Sequence, residues 1–152
     1  MFGFVKEFYY RTIYKKLGSS DNKVPIFSLN GKRVIAKVVD VYDGDSVTVV
    51  FKYNGKLRRF KIRMYGYDTP EIRTKDIQEK EAAIKARDIL RTKILGKLVK
   101  LECGEFDKYG RLLGTIFSVS DDECINKFMV ESKLGYEYFG KTKKEFNLSE
   151  KD

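Results

Sequence analysis

The dipeptide Asn54-Gly55, set between two alternating apolar runs, constrains this chain more than any other feature. Both residues tolerate a positive φ, which a two-residue hairpin turn requires. A turn of that length sets the register. Tyr53 faces Lys56, so Val47 faces Ile62 and Val49 faces Phe60 on one side of the ribbon. Ser46 faces Arg63 and Thr48 faces Lys61 on the other. A slip of one residue would exchange the faces of one strand and scatter the apolar pairs. The register also has a chemical consequence. Asp45, Arg63, Asp68 and Glu71 gather at the end of the hairpin away from its turn, at the rim of a sheet.

Around this hairpin the pattern predicts the rest of a domain. Arg33 to Tyr42 alternates and is β-branched, so it reads as a strand and completes a three-stranded meander. Ile72 to Gln78 reads as a polar loop. Glu79 to Leu95 reads as a helix, with Ala83, Ala86, Leu90 and Ile94 on one face and Gly96 as its stop. Leu98 to Phe106 and Arg111 to Val119 are two further strands, joined by the turn Asp107-Lys108-Tyr109-Gly110. Asp121 or Asp122 is expected to cap a helix reaching Leu134, with Ile125, Phe128 and Met129 inward. This order predicts an α+β fold: a five-stranded Greek-key β-barrel of the OB type with about three helices.

The barrel domain is expected over residues 33–140. Residues 1–32 form an N-terminal amphipathic helix and linker, and 141–152 a charged tail that is helical or frayed. In the N-terminal helix Val5, Phe8, Tyr9, Thr12, Ile13 and Leu17 share a face. It is expected to pack on its own domain or to hang as an appendage, in preference to peripheral membrane contact through residues 1–17. Lys6, Glu7 and Arg11 interrupt any apolar run, so neither a membrane span nor a secretory signal is convincing. An intracellular location and a monomer are expected. Ile26, Phe27 and Leu29 form a short edge segment or cover the domain.

Composition narrows the chemistry. The 152 residues carry a net charge of +9, from 31 Lys and Arg against 22 Asp and Glu. Such an excess favours polyanions, nucleic acid first and an acidic membrane surface second. Histidine is absent, which excludes imidazole acid–base catalysis, His–zinc sites and Ser-His triads. Cys103 and Cys124 cannot build a zinc cluster, and two ordinary thiols are expected in preference to a disulfide. Carboxylate, arginine, lysine and tyrosine remain, and hard oxygen ligands suit Ca²⁺ or Mg²⁺.

Taken singly, the polar motifs are turn chemistry. Asp43-Gly44-Asp45 is not an EF-hand, because Val47 stands at its fifth position and no glutamate closes the loop. Asp68-Thr69-Pro70-Glu71 alone is an Asx turn followed by proline. Together they are a constellation. Adjacent carboxylates must be neutralised by metal, proton or arginine. Two aspartates can hold a divalent cation, and a third carboxylate, Glu71, can orient or deprotonate a water. Arg63 and Arg111 can grip phosphate oxygens through their planar forks. These are the parts of a metal-assisted phosphodiester hydrolysis that needs no histidine.

Over roughly residues 33–140 the sequence resembles the staphylococcal nuclease (thermonuclease) family. The resemblance rests on Asp43-Gly44-Asp45-Ser46, on Arg63 five positions before Asp68-Thr69-Pro70-Glu71, and on Asp107-Lys108-Tyr109-Gly110-Arg111. It implies a Ca²⁺-dependent endonuclease on an OB barrel, cutting DNA and RNA with little sequence preference and leaving 5′-hydroxyl and 3′-phosphate ends. Single-stranded or locally unpaired substrate is expected to be favoured. By the same resemblance Asp45, Asp68 and the Thr69 carbonyl hold the metal. Glu71 activates water, Arg63 and Arg111 clamp phosphate, and Lys108 and Tyr109 lie near the bound nucleotide. Asn126 matches a structural asparagine. Ser46 stands where the family usually has threonine, and the segment after Glu71 is shorter than in the bacterial prototype. The alternative reading is a non-catalytic nucleic-acid-binding module of the same fold.

Overall fold

The computed structural model describes residues 2–140. Five strands close into a barrel in the order β1 (Arg33–Val41), β2 (Ser46–Tyr53), β3 (Lys56–Met64), β6 (Leu112–Ser118) and β5 (Leu98–Phe106). All contacts around the barrel are antiparallel except the β3–β6 seam, which is parallel. This is the OB-type α+β architecture expected from the sequence. Two short strands, β4 (Tyr67–Asp68) and β7 (Tyr136–Glu137), pair outside it. The helices are α1 (Phe2–Gly18), α2 (Ile77–Ile94) and α3 (Ile125–Glu131).

The hairpin register agrees with the one the turn implies at every pair from Tyr53↔Lys56 to Ser46↔Arg63. Asn54 and Gly55 both take positive φ, 48° and 75°. The inward residues Val47, Val49, Phe51, Ile62 and Met64 join one core with Val38, Leu101, Leu112 and Ile116. Phe51 and Phe60 stack at a centroid distance of 4.3 Å, a diagonal neighbour pair on the same face. Leu29 is fully buried and covers the barrel, whereas Ile26 is exposed, so this segment is a cover and not a strand.

Helix α2 begins two residues earlier than its apolar pattern suggests. Asp76 caps it, accepting from the N–H groups of Gln78 and Glu79, so Ile77 and Gln78 are helical and not loop. Its buried face is the expected one, Ala83, Ala86, Leu90 and Ile94.

Helix α3 departs further. Its N-cap residue is Cys124, with no side-chain cap bond, and it ends at Glu131, not Leu134. Asp122 is drawn off to Lys100 at 2.6 Å and Asp121 accepts from Glu123 N–H, so neither aspartate reaches the helix. Lys133 at φ 56° ends the helical run. Phe128 is half-buried under the Lys93 ammonium, 3.7 Å from its ring centroid.

Along α1 every described side chain is exposed except the half-buried Ile13. The helix therefore does not pack on its own domain; it is the appendage. Cys103 and Cys124 are free thiols. The charged tail, 141–152, lies outside the described residues. Among those described, no helix is long and apolar enough to cross a membrane.

Candidate active site

The site forms at the open end of the β2–β3 ribbon, where Ser46 faces Arg63. Asp43 folds the preceding loop: its carboxylate accepts from the Asp45 N–H at 3.1 Å, an Asx turn. The turn delivers Asp45 into the interior, where it is 5% exposed. Asp45 Oδ1 accepts from Ser46 Oγ at 2.9 Å. Its Oδ2 accepts from both the N–H and the hydroxyl of Thr69, each at 3.2 Å. Asp68, on β4, is equally buried. Its Oδ1 accepts from Arg63 Nη2 at 2.9 Å and its Oδ2 from the Tyr136 hydroxyl at 3.1 Å. Arg63 Nη1 lies 3.3 Å from Asp45 Oδ2 and donates to the Met64 carbonyl at 3.0 Å. One guanidinium thus bridges two buried carboxylates.

The electrostatics follow from burial. Desolvation pushes the Asp45 carboxyl up to about 8. The Arg63 charge opposes this, and the nearby Asp43 and Asp68 carboxylates reinforce it. Burial first, and Asp45 second, also raise the Tyr67 hydroxyl well above its usual range. That hydroxyl donates to the Gly44 carbonyl at 2.8 Å and so pins the aspartate loop to β4. A carboxyl raised this far beside a second one gains from added positive charge. The donors at hand are two carboxylates, three hydroxyls and main-chain carbonyls, a set suited to a hard divalent cation. Among the described residues no third carboxylate, cysteine or histidine joins Asp45 and Asp68 in a metal-holding cluster. Further ligands would have to be carbonyl or water oxygens. Glu71 is exposed, and its N–H donates to Glu79 Oε1 at 3.2 Å on the first turn of α2.

Beyond Arg63 opens a cleft of about 430 Å³. Arg63, Lys108, Tyr109 and Arg111 all line it, so four of the expected residues share one cavity, with Tyr138 and Phe139 opposite. Asp45, Asp68, Thr69 and Glu71 do not line it. Arg111 is aimed by Asp107, whose Oδ2 accepts from Arg111 Nε at 2.7 Å. Burial would raise the Asp107 carboxyl, but hydrogen bonds from Arg111 and from Tyr109 N–H hold it below its ordinary value. The exposed Tyr109 ring sits 5.1 Å from Lys108 Nζ and 5.6 Å from Arg111 Cζ.

Four aromatic residues here carry no signal in the sequence pattern. Tyr136 reaches Asp68 because the two residues are paired on β7 and β4. That approach depends on Gly135, where a Cβ would stand 2.7 Å from the Asp68 carbonyl oxygen. Tyr65 and Phe139 meet edge to face at 5.7 Å, and the Tyr138 N–H donates to the Gly66 carbonyl at 3.0 Å. Asn126, expected to be structural, is so. It donates to the Tyr65 and Gly114 carbonyls and accepts from the Ile116 N–H, joining α3 to the barrel.

The molecule is thus an OB-type barrel with an arginine-bridged acidic rim beside a basic, aromatic cleft. The model of the staphylococcal nuclease homologue family matches residues 61–151, more than half of the chain, and the chain belongs to that family. A probable endonuclease, LCL3, of Yarrowia lipolytica is 25% identical over 95% of this chain and 74% of its own length. An uncharacterised endonuclease of Escherichia coli O157:H7 is 28% identical over 67% of this chain, which spans 60% of that relative. An uncharacterised protein of Methanocaldococcus jannaschii is 35% identical over 66% of this chain and 56% of its own length.

Proposed function

We infer that this protein is a Ca²⁺-dependent endonuclease that hydrolyses phosphodiester bonds of DNA and RNA with little sequence preference. The observation that carries this reading is Arg63, which spans two buried carboxylates on one side and lines a cleft with Arg111 on the other. Carboxylates in need of a cation and guanidinium groups suited to a phosphate meet at one residue. Family membership, the relatives named as endonucleases and the charge of +9 support the same reading.

Asp45, Asp68 and the Thr69 carbonyl would hold Ca²⁺, which supplies Lewis acidity toward a phosphoryl oxygen. The remaining roles belong to the chain. Arg63 and Arg111 offer the phosphate the N–H groups that their aspartate partners leave over, and meet the charge that grows as it becomes five-coordinate. Glu71 takes a proton from the attacking water. The water oxygen bonds to phosphorus as the bond to the 5′ oxygen breaks. A 3′-phosphate remains, and the departing oxygen takes a proton from solvent to become a 5′-hydroxyl. Lys108 offers charge and Tyr109 a stacking face to the neighbouring nucleotide, which favours unpaired strands with free bases.

The test is single-turnover cleavage of labelled single-stranded DNA and RNA by the full chain in Ca²⁺, with chelator and Mg²⁺ controls. Glu71→Gln should bind substrate yet cleave roughly a hundredfold to ten-thousandfold more slowly. Full activity in that variant removes Glu71 from the mechanism. A wild-type chain that binds but never cuts in Ca²⁺ is a nucleic-acid-binding module.

A further inference from the structure

Between Ser46 and Met64 the hairpin carries six cations, Lys52, Lys56, Arg58, Arg59, Lys61 and Arg63, and no carboxylate. The neighbouring strands mix their charges: Arg33 on β1 pairs with Glu102 on β5, and Lys100 on β5 with Asp122. Arg63 has its two aspartates, but no ion pair among the described residues involves Lys52, Lys56, Arg58, Arg59 or Lys61. All five are exposed.

The register orders three of these charges. Ile62 and Met64 point into the barrel, so Arg59, Lys61 and Arg63 share the outward face of β3. Opposite them on β2 stand Val50, Thr48 and Ser46, an uncharged floor. Alternate residues of a strand are about 6.7 Å apart. A row at that spacing is on the scale of successive phosphates along a single strand, which lie off the axis and so stand farther apart than the roughly 3.4 Å axial rise. It ends on Arg63, beside the cleft. No aromatic side chain lies in the outward row, so what it recognises is charge and not base.

We propose that the outward face of β3 is a backbone track: Arg59 and Lys61 bind successive phosphates of a single-stranded nucleic acid and feed it to Arg63. This rests on the nuclease reading and gives it a direction. On the hairpin side of the scissile phosphate the strand is held by charge alone. On the other side it enters the cleft, where Tyr109, Tyr138 and Phe139 offer rings to its bases. Charge that grips without reading bases yields processive contact and no sequence preference on the hairpin side.

The experiment measures binding of labelled single-stranded oligonucleotides of 3 and 12 nucleotides, in chelator, to the full chain and to the double variant Arg59→Gln, Lys61→Gln. Both side chains are exposed, and circular dichroism checks the fold. For the 12-mer, affinity at about 0.1 M salt should fall tenfold or more. The slope of log K against log salt should shrink by about 1.4, the share of two phosphate contacts on a single strand. The trinucleotide, filling the cleft alone, should lose less than threefold. Lys127→Gln, which removes a charge on α3, should leave the slope unchanged. An unchanged 12-mer slope, or equal losses on both lengths, overturns the track. So does a double variant that loses only its binding to anionic vesicles. Because no cleavage is measured, a wild-type chain that never cuts would defeat the nuclease reading and leave the track standing.

Discussion

Two helices of nearly equal length behave in opposite ways. Helix α2, Ile77–Ile94, has a capping aspartate and a stripe of small and branched residues at helical spacing, and it buries that stripe against β1. Helix α1, Phe2–Gly18, has more aromatic residues, yet Phe4 is 84% exposed and Phe8 71%. The difference is not propensity but shape and order. Ala83 and Ala86 let α2 come close to the barrel, and Leu90 and Ile94 fill the space beyond. On α1 the face that carries Val5, Phe8, Tyr9, Ile13 and Leu17 is built of bulky residues with no alanine among them, and it stays exposed apart from the half-buried Ile13. The consequence reaches the site. Helix α2 supports it: Glu79 accepts from the Glu71 N–H, Arg91 donates to the Val41 carbonyl, and Ala86 lies under Gly44. Helix α1 supplies none of the site's residues.

The sharpest way to break this comparison is to truncate one buried and one exposed leucine. Leu90→Ala should destabilise the chain by about 2–5 kcal/mol. Leu17→Ala should stay within about 0.5 kcal/mol of wild type, since exposed positions rarely matter more. Denaturant unfolding followed by circular dichroism measures both, and equal losses would mean that α1 is docked in solution.

Gly44→Ala probes where α2 meets the site. An added Cβ would stand 2.8 Å from Thr69 Cγ2 and 3.0 Å from Ala86 Cβ. About 1–3 kcal/mol of overpacking should follow. Cleavage should fall with it, because Thr69 is the hydrogen-bond partner of Asp45. The variant's melting temperature and turnover, taken together, decide this.

A gradual effect comes with pH. Burial pushes the Asp45 carboxyl from its ordinary 3.8 up to about 8, so the folded chain holds its proton more tightly than the unfolded one. That stability is complete below about 3.8 and is lost as pH rises through about 8, because burial of the carboxyl outweighs its ion pair with Arg63. The melting temperature of chelator-treated protein should decline across that window, and Asp45→Asn should flatten the decline. A wild-type profile that rises instead would mean Arg63 outweighs burial.

The smallest effect is expected for deletion of residues 2–18. The barrel should melt within a degree or two of wild type, roughly the scale of 0.5 kcal/mol for a chain this size. Turnover on short oligonucleotides in dilute solution should not change. Anionic vesicles that retain the full chain but not the truncated one would sharpen the comparison, because they would supply the surface that α1 lacks on its own barrel.

How much of this was legible depends on how local each signal is. The hairpin register followed from two turn residues and the alternation beside them, so Ser46↔Arg63 was fixed before any tertiary contact. The four cleft residues Arg63, Lys108, Tyr109 and Arg111 were reachable because two turns and one resemblance name them. Tyr136 was not. It meets Asp68 through a pairing of two residues on each side, too short to leave a periodic trace. The start of α2 was misplaced because Ile77 and Gln78 belong to the helix through the Asp76 cap and not through an apolar face. The cap of α3 failed for the opposite reason: a distant lysine, Lys100, competes for Asp122.

The closed barrel also sets an order in time. The β1–β2–β3 meander joins residues close in sequence, and its turn forms without help. Closure does not: the β3–β6 seam joins Ile62 to Leu112, and the β1–β5 contact joins Arg33 to Glu102. Long loops must lose their freedom before those contacts return any energy, so closure is expected to be slower than formation of the meander. The aspartates and Arg63 are all in place on the early meander and the residues just after it, but Arg111 and Tyr136 arrive only with the later strands. An incompletely folded chain would therefore carry an exposed hairpin edge and half a site, and the last strands to dock would complete the chemistry and protect the edge at the same moment.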